Sequence, residues 1–134
     1  MSFSLTQKLG FDQPGTVLLI NSPEQFSQML TAEGISYDIS ATGVYRKVIF
    51  FVLSRQEAEH LAAGAVHALA ADGWLWLAYP KGTSKRYKVD INRDRAWDIL
   101  KPYDYEPVSQ VAIDEDWTAM RFRPQAAIKR KSRN

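Results

Sequence analysis

Val48-Ile49-Phe50-Phe51-Val52-Leu53 is the stretch of sequence that decides the fold. Six consecutive apolar residues, rich in β-branched and aromatic side chains, are typical of a strand buried on both faces of a parallel sheet. Two other runs, residues 16–20 and 74–79, have the same character, and Pro80 ends the second of them. We therefore predict three central strands with cover on both faces.

A helical pattern follows the first of these runs. Ser22 is placed to cap a helix, Pro23 suits the first helical position, and Gln25 lies three residues after the cap. These signals predict a helix from Pro23 to about residue 32. Alternating apolar residues over 35–40 then predict a short second strand.

A second helical pattern follows the central run. Ser54 and Glu57 form a capping box that opens a helix, and apolar residues repeat at helical spacing until Gly73 closes it. A similar box, Ser4 with Gln7, predicts a short opening helix. Because strands alternate with helices, right-handed crossovers make the core strands parallel.

The pattern changes in the last third of the chain. Asn92 is predicted to cap a helix from Arg93 to about Lys101, and its buried residues are predicted to be Ala96, Trp97 and Leu100. Two β-type runs, 108–113 and 117–123, are separated by only three acidic residues, which permits an antiparallel hairpin. One face of this hairpin is predicted to carry Val111, Ile113, Met120 and Phe122.

These elements predict an α/β fold: a three-layer Rossmann-like sandwich whose sheet is mostly parallel, with a C-terminal antiparallel hairpin. The 134 residues, 46% of them hydrophobic, suffice for one core. We predict a single domain over residues 1–124 and a basic, flexible tail over 125–134. Without cysteine, disulfides and thiolate metal sites are excluded.

The first residues lack the pattern of a signal peptide, and no apolar run approaches the roughly 20 residues of a membrane helix. A cytoplasmic location without membrane contact is the expectation. The net charge of +2 is unevenly distributed: residues 1–78 carry four basic and seven acidic side chains, whereas 79–134 carry thirteen and eight. Such basic segments attract phosphates or nucleic acid, and they are also common on ordinary solvated surfaces.

Motifs spread over nearly the whole chain carry a family resemblance. They are residues 17–24 (VLLINSPE), Tyr79-Pro80-Lys81 with Ser84-Lys85, Asn92-Arg93-Asp94, and Val111-Ala112-Ile113-Asp114 with Trp117, Arg121, Phe122 and Arg123. This set is similar to that of a bacterial family of short uncharacterised proteins, and the resemblance implies no specific activity. The parallel core with its terminal hairpin, and the passage at residues 71–77, also resemble the class I methyltransferase fold, which implies a reduced form of that topology.

The turn after the first strand departs from working methyltransferases. They place a glycine-rich turn there, so that the backbone can approach the cofactor closely. This chain has no glycine in residues 20–25, Pro23 removes an amide donor, and Glu24 adds a negative charge. Asp38 lies near the end of the second strand, where an acid often holds a ribose hydroxyl, but an exposed polar turn is the favoured interpretation. We accordingly predict no cofactor.

The most suggestive segment for binding is the basic connection after the strand that ends at Pro80. It follows the carboxyl end of a central strand, the side on which open α/β sheets bind ligands. Charges and hydroxyl donors there suit a phosphate or carboxylate. The predicted anion site consists of Lys81, Thr83, Ser84, Lys85, Asn92 and Arg93, and the alternative interpretation is a mobile, solvated loop.

Other polar groups support no site by themselves. Ser84 next to Lys85 does not establish the geometry of a nucleophile pair. His60 and His67 are about 10 Å apart on one helix, too far for a shared metal ion. The acidic turn at 114–116 is interpreted as exposed. Arg121 and Arg123 alternate onto one side of the last strand, with Trp117 and Ala119. This side is interpreted as a partner surface, a nucleic-acid contact or a half-exposed strand face with ordinary charges. The tryptophans 74, 76 and 97 are assigned to the core.

Three hypotheses for function follow. The favoured one is a non-enzymatic binding or regulatory domain that takes an anionic small molecule or a nucleic-acid phosphate at the anion site. The first alternative is a divergent methyltransferase that depends on S-adenosylmethionine. The second is an oligomerisation or protein-interaction module, in which the hairpin edge or the helix with His60 pairs with another copy.

Overall fold

The computed structural model describes residues 4–88, 91 and 93–127, and within them one six-stranded sheet has helices on both faces. The sheet order is β2-β1-β3-β4-β6-β5. In chain order the elements are α1 Leu5–Leu9, β1 Val17–Ile20, α2 Glu24–Ala32, β2 Tyr37–Asp38, β3 Tyr45–Phe51, α3 Arg55–His67, β4 Leu69–Pro80, α4 Arg93–Ile99, β5 Tyr105–Ala112 and β6 Trp117–Pro124.

The strand directions confirm the predicted fold class. β1 pairs in parallel with β2 and β3, and β3 pairs in parallel with β4. β6 is antiparallel to both β4 and β5, which forms the predicted hairpin. The result is a mostly parallel Rossmann-like sheet with an antiparallel C-terminal pair.

The central strand β3 explains why its sequence is apolar without interruption. Val48 and Phe50 face a cluster that α3 and α4 cover, whereas Ile49 and Phe51 face a cluster that α1 and α2 cover. All four side chains are at most 1% exposed. Successive side chains of a strand point to opposite faces, so both faces need apolar residues.

Several predicted boundaries are wrong. Helix α3 ends at His67, six residues before Gly73, because β4 begins at Leu69 and pairs with the start of β3. Strand β2 has only two residues, since the chain must return over β1 to β3 within residues 39–44. Pro23, not Ser22, is the N-cap of α2, and it makes no side-chain cap. The capping box of Ser4 and Gln7 is confirmed.

The hairpin has a different register from the predicted one. Val111 pairs with Ala119, so Val111 and Ile113 pack on the α1–α2 side of the sheet. Met120 and Phe122 pack on the α3–α4 side. The prediction that these four share one face is therefore wrong. The register of β5 shifts between Pro107 and Ser109, where the strand is irregular.

Two tryptophans that were assigned to the core are partly exposed. Trp97, predicted to be buried by α4, is 48% exposed, while Ala96 and Leu100 are buried as predicted. Trp74 is 37% exposed, and its ring lies 4.1 Å from the Arg121 guanidinium carbon. Trp74 lies between the buried residues Gly73 and Leu75 of β4, and Trp97 follows the buried Ala96 in α4, so apolar character alone does not distinguish the covered face of an element from its exposed face. Trp76 is buried, as predicted, and its indole N–H donates to the Leu9 carbonyl.

In the part of the chain that the structure describes, no helix is long and apolar enough to cross a membrane. Residues Gln125–Ala127 form a 3₁₀ turn. The rest of the predicted tail lies outside the described residues, so its flexibility stays a prediction.

Gly10 ends α1 with φ 78°, and a Cβ there would lie 2.6 Å from Cζ3 of Trp74. Gly34 has a similar φ of 75° but open space around it. We expect Gly34→Ala to lower the free energy of unfolding by about 1–2 kcal/mol, the cost of the left-handed backbone. Gly10→Ala should cost at least about 1 kcal/mol more, because it adds a clash. Urea unfolding of both variants measures this, and equal losses would contradict the contact with Trp74.

Lys47 is a buried cation in β3, and its ammonium group donates to the carbonyls of Gln13 and Phe11. Desolvation lowers the pKa of Lys47 below its ordinary 10.5, and the charge of Asp12 opposes this in part. Between the lowered pKa and 10.5 the unfolded chain binds more protons, so stability rises with pH. The stability of the wild type relative to Lys47→Met should therefore increase as the pH rises toward 10.5. A constant difference in urea unfolding would contradict this.

Candidate functional site

The carboxyl ends of the central parallel strands meet at one edge of the sheet, which we call the carboxyl rim. Ile20 pairs with Phe50, and Phe51 pairs with Ala78. The residues that follow these strands are therefore neighbours. The rim gathers the turn after β1, the start of α3 and the basic connection after β4, as the parallel core requires.

Asn21 organises the turn after β1. Its backbone has φ 60°, a left-handed conformation that asparagine tolerates better than most residues. Its side-chain amide donates to the Phe51 carbonyl at 2.9 Å and to the Glu57 carboxylate at 3.1 Å. The other oxygen of Glu57 accepts from the Leu53 amide at 2.7 Å. One side chain thus joins the ends of β1 and β3 to the first turn of α3.

This arrangement modifies the predicted capping box. Ser54 Oγ accepts from the Glu57 amide at 3.0 Å, as expected. The Glu57 side chain bonds the amide of Leu53, one residue before the cap, and not that of Ser54. Its position three residues after Ser54 gave the signal for a cap, but nothing in the sequence revealed that Asn21 would share the carboxylate.

Asp38 does not face the turn after β1. Its carboxylate accepts a hydrogen bond from the Tyr45 hydroxyl, which also contacts Thr42 Oγ1 at 2.9 Å. Asp38 lines a cavity of about 420 Å³ together with Gly15 and Thr16, which precede β1. The carboxylate is thus engaged in closing the loop between β2 and β3.

The basic connection after β4 is folded against the tip of the hairpin. Ser84 Oγ donates to the Asp116 carboxylate at 2.8 Å and accepts from the amides of Arg86 and Tyr87, each at 3.1 Å. The Lys81 amide donates to the Asp116 carbonyl at 2.8 Å. The Tyr87 ring packs edge-on against Trp117, with centroids 5.2 Å apart. Asp116 therefore anchors the connection at the rim.

The structure brings four residues of the predicted anion site together: Lys81, Thr83, Ser84 and Lys85 occupy one turn, in which Thr83 and Lys85 are exposed. Asn92 lies outside the described residues, and Arg93 begins α4 without a described side chain. Asp116, which the sequence reasoning missed, places a carboxylate within this cationic turn. No local pattern signalled it, because its approach to the connection depends on the pairing of β6 with β4. Whether these residues bind an anion stays a prediction.

The remaining polar groups have structural roles or are exposed. Asp114 Oδ1 accepts from the amides of Asp116 and Trp117, both at 2.8 Å, which holds the acidic turn. His60 and His67 are both exposed on α3. Within residues 4–88, 91 and 93–127, no group of three His, Asp or Glu side chains is placed to hold a metal ion.

Arg121 lies on the side of β6 that Trp117 and Ala119 share, as predicted. Burial, together with the charge of Arg123, lowers the pKa of Arg121. Trp117 and Ala119 are buried, so among these residues on one side of β6 only Arg121 and Arg123 reach the surface.

Solved structures of methyltransferases have a similar fold. A ribosomal protein L11 methylase from Lactobacillus delbrueckii subsp. bulgaricus has a TM-score of 0.57 at 10% identity, over 90% of this chain and 75% of that one. An S-adenosylmethionine-dependent methyltransferase from Clostridium acetobutylicum ATCC 824 has a TM-score of 0.52 at 6% identity, over 81% and 83%. The fold is therefore methyltransferase-like.

A third similar structure is an O-methyltransferase from neocarzinostatin biosynthesis, solved in complex with S-adenosyl-L-homocysteine. Its TM-score is 0.59 at 8% identity, and the match covers 82% of this chain and 49% of that one. The chain spans less than two thirds of the length of several solved structures that it matches. No protein-family model matches the chain, and no curated protein matches its sequence.

Asn21→Ala removes both hydrogen bonds of the side-chain amide and leaves a Cβ at φ 60°. Asn21→Gly removes the same hydrogen bonds but relieves the backbone. We expect both variants to be destabilised by about 1–3 kcal/mol, from the lost hydrogen bonds. Alanine should be the worse of the two by about 1 kcal/mol. Urea unfolding followed by tryptophan fluorescence provides the measurement, and an alanine variant as stable as the glycine variant would contradict this role of Asn21.

Proposed function

We propose that this chain is a divergent domain of the methyltransferase fold that binds an adenosyl ligand of the S-adenosylmethionine class at its carboxyl rim. The observation that carries the proposal is the sheet, whose parallel core and terminal hairpin match solved methyltransferases. Among the solved structures with a similar fold, the O-methyltransferase from neocarzinostatin biosynthesis holds S-adenosyl-L-homocysteine, and LepI was solved as a complex with S-adenosylmethionine. These likenesses support the methyltransferase alternative better than a non-catalytic domain.

The turn after β1 sets a condition on this binding. Asn21 fills the turn with a side chain bonded to Phe51 and Glu57, and Pro23 offers no amide donor. In a glycine-rich turn the backbone can contact the cofactor closely, and Asn21 and Pro23 do not fit such a contact. We therefore derive no methyl-transfer step from these residues. The ligand would instead contact rim side chains outside the turn, such as Leu53, which is 44% exposed. Because the backbone contacts of a glycine-rich turn are missing, we expect the affinity for an adenosyl ligand to be weak.

A second candidate function is a non-catalytic domain that binds a phosphate-bearing ligand at the basic connection. The observation that favours it is the anchoring of this connection at the rim by Ser84 and Asp116. A fixed turn loses less conformational entropy on binding than a mobile loop. Its ligand would be an anionic small molecule or a nucleic-acid phosphate, contacted by Lys81 and Lys85. The carboxylate of Asp116 weakens this positive field.

Calorimetric titration distinguishes the two candidates. We expect S-adenosylmethionine and S-adenosylhomocysteine to bind the wild type with Kd on the order of 10⁻⁴ M, about −5.5 kcal/mol. Pyrophosphate should not bind. The double variant Lys81→Ala/Lys85→Ala should retain the affinity for both adenosyl compounds within twofold. Lys101→Ala removes one positive charge from an exposed lysine at the opposite end of the sheet and is the control for loss of a lysine outside the site.

Other results would overturn the first proposal. If pyrophosphate binds and the double variant, but not Lys101→Ala, loses at least tenfold in affinity, the second candidate is correct. If neither adenosyl compound nor pyrophosphate produces heat at 5 mM ligand, both candidates are wrong.

A further inference from the structure

The sheet has an uncovered corner on the face that α1 and α2 cover. Ala119 of β6 is fully buried there, but Arg121 and Arg123, further along the same strand, are partly exposed. Ser109, the partner of Arg121 in β5, is exposed as well. The helices therefore stop short of the end of β6, which lies at the edge of the sheet opposite the carboxyl rim. We call this region, together with Trp74 of the adjacent strand β4, the arginine corner.

Two positive charges share the arginine corner, and no carboxylate balances them among the residues that the structure describes. Neither Arg121 nor Arg123 forms an ion pair there, although Glu106 is the partner of Arg123 in the β5–β6 ladder. Residues 128–134, which lie outside the described range, contain no acidic side chain. Burial, and in addition the charge of Arg123, lowers the pKa of Arg121. Because the two cations repel each other, the arginine corner favours an anionic partner.

Trp74 connects these charges to a cavity. The Arg121 guanidinium carbon lies 4.1 Å from the centre of the Trp74 ring, and the indole also lines a cavity of about 150 Å³. Arg46 and Asp72 line the same cavity and form an ion pair at 2.8 Å, so their charges offset each other. Lys47, the third charged residue of the wall, donates to backbone carbonyls. Since a cavity of about 150 Å³ holds benzene in another protein, this one has room for an uncharged six-membered ring.

We propose that the arginine corner binds single-stranded nucleic acid, with one base in the cavity beside Trp74 and the adjoining phosphates on Arg121 and Arg123. A nucleotide combines the two groups that this surface suits, an uncharged aromatic ring and an anionic phosphate. An acidic peptide supplies only the charge, and the bases of a duplex are not free to stack on a side chain. The inference goes beyond the proposed function, because the arginine corner lies away from the carboxyl rim and requires no adenosyl ligand.

Fluorescence anisotropy with a labelled oligouridylate of twelve nucleotides measures this binding. Each phosphate contact to a single strand contributes about 0.7 to the slope of log affinity against log salt concentration. Arg121→Gln and Arg123→Gln should therefore each make the slope shallower by about 0.7 and lower the affinity at least fivefold. Trp74→Leu should also lower the affinity at least fivefold, because a stacking surface is lost. Arg55→Gln makes the same substitution on α3, at the other face of the sheet, and should change neither quantity.

A measurement on the wild type keeps the proposal testable if a variant does not fold. In ¹⁵N-labelled protein each tryptophan gives one indole N–H signal. We expect the oligonucleotide to shift the signal of Trp74, whereas that of Trp97, which is exposed on α4, should not move. The same RNA as a duplex, and an oligoglutamate of equal charge, should each bind at least fivefold more weakly.

Several results would overturn the proposal. They are equal affinity for the duplex or the oligoglutamate, unchanged affinity and salt slope in both arginine variants, an unmoved Trp74 signal, and no binding at about 1 mM protein. If Lys81→Ala/Lys85→Ala abolishes binding and the arginine variants do not weaken it, the nucleic acid is bound by the basic connection at the carboxyl rim, and the proposal is wrong.

Discussion

The parallel hydrogen-bonded ladder of β1, β3 and β4 is the constraint on which the rest of the structure depends. Its strands are apolar on both faces, so helices must cover both sides, and the connections must all return in the same direction. This requirement brings the turn after β1, the start of α3 and the basic connection after β4 to the carboxyl rim. The candidate sites for an adenosyl compound and for an anion are both consequences of that convergence.

Two short networks then determine the chemistry of this edge. Asn21 ties the first turn to Glu57, and Asp116 ties the basic connection to the hairpin. In the first network the Glu57 carboxylate accepts hydrogen bonds from the protein's own donors, and in the second the Asp116 carboxylate does so. The edge that carries ligands in related folds is therefore already partly occupied by internal hydrogen bonds. Affinity for any ligand must come from the side chains that these networks leave accessible.

Long-range partners mark the limit of what the sequence could predict. The buried strands, the starts of α1 and α3, and the hairpin followed from local patterns, because periodicity and caps act within a few residues. The faces of Val111 and Met120 were wrong, since hairpin register depends on the geometry of the turn. Lys81 and Ser84 were located correctly after a central strand. Asp116 was missed as their neighbour because 32 residues separate it from Ser84.

The irregularity at Pro107 has a consequence for how this protein behaves at high concentration. β5 forms one border of the sheet, and proline there lacks the amide hydrogen that an incoming strand would need. The opposite border, β2, is only two residues long. Neither border offers a regular template for another chain, so fibril growth by strand addition is disfavoured at both.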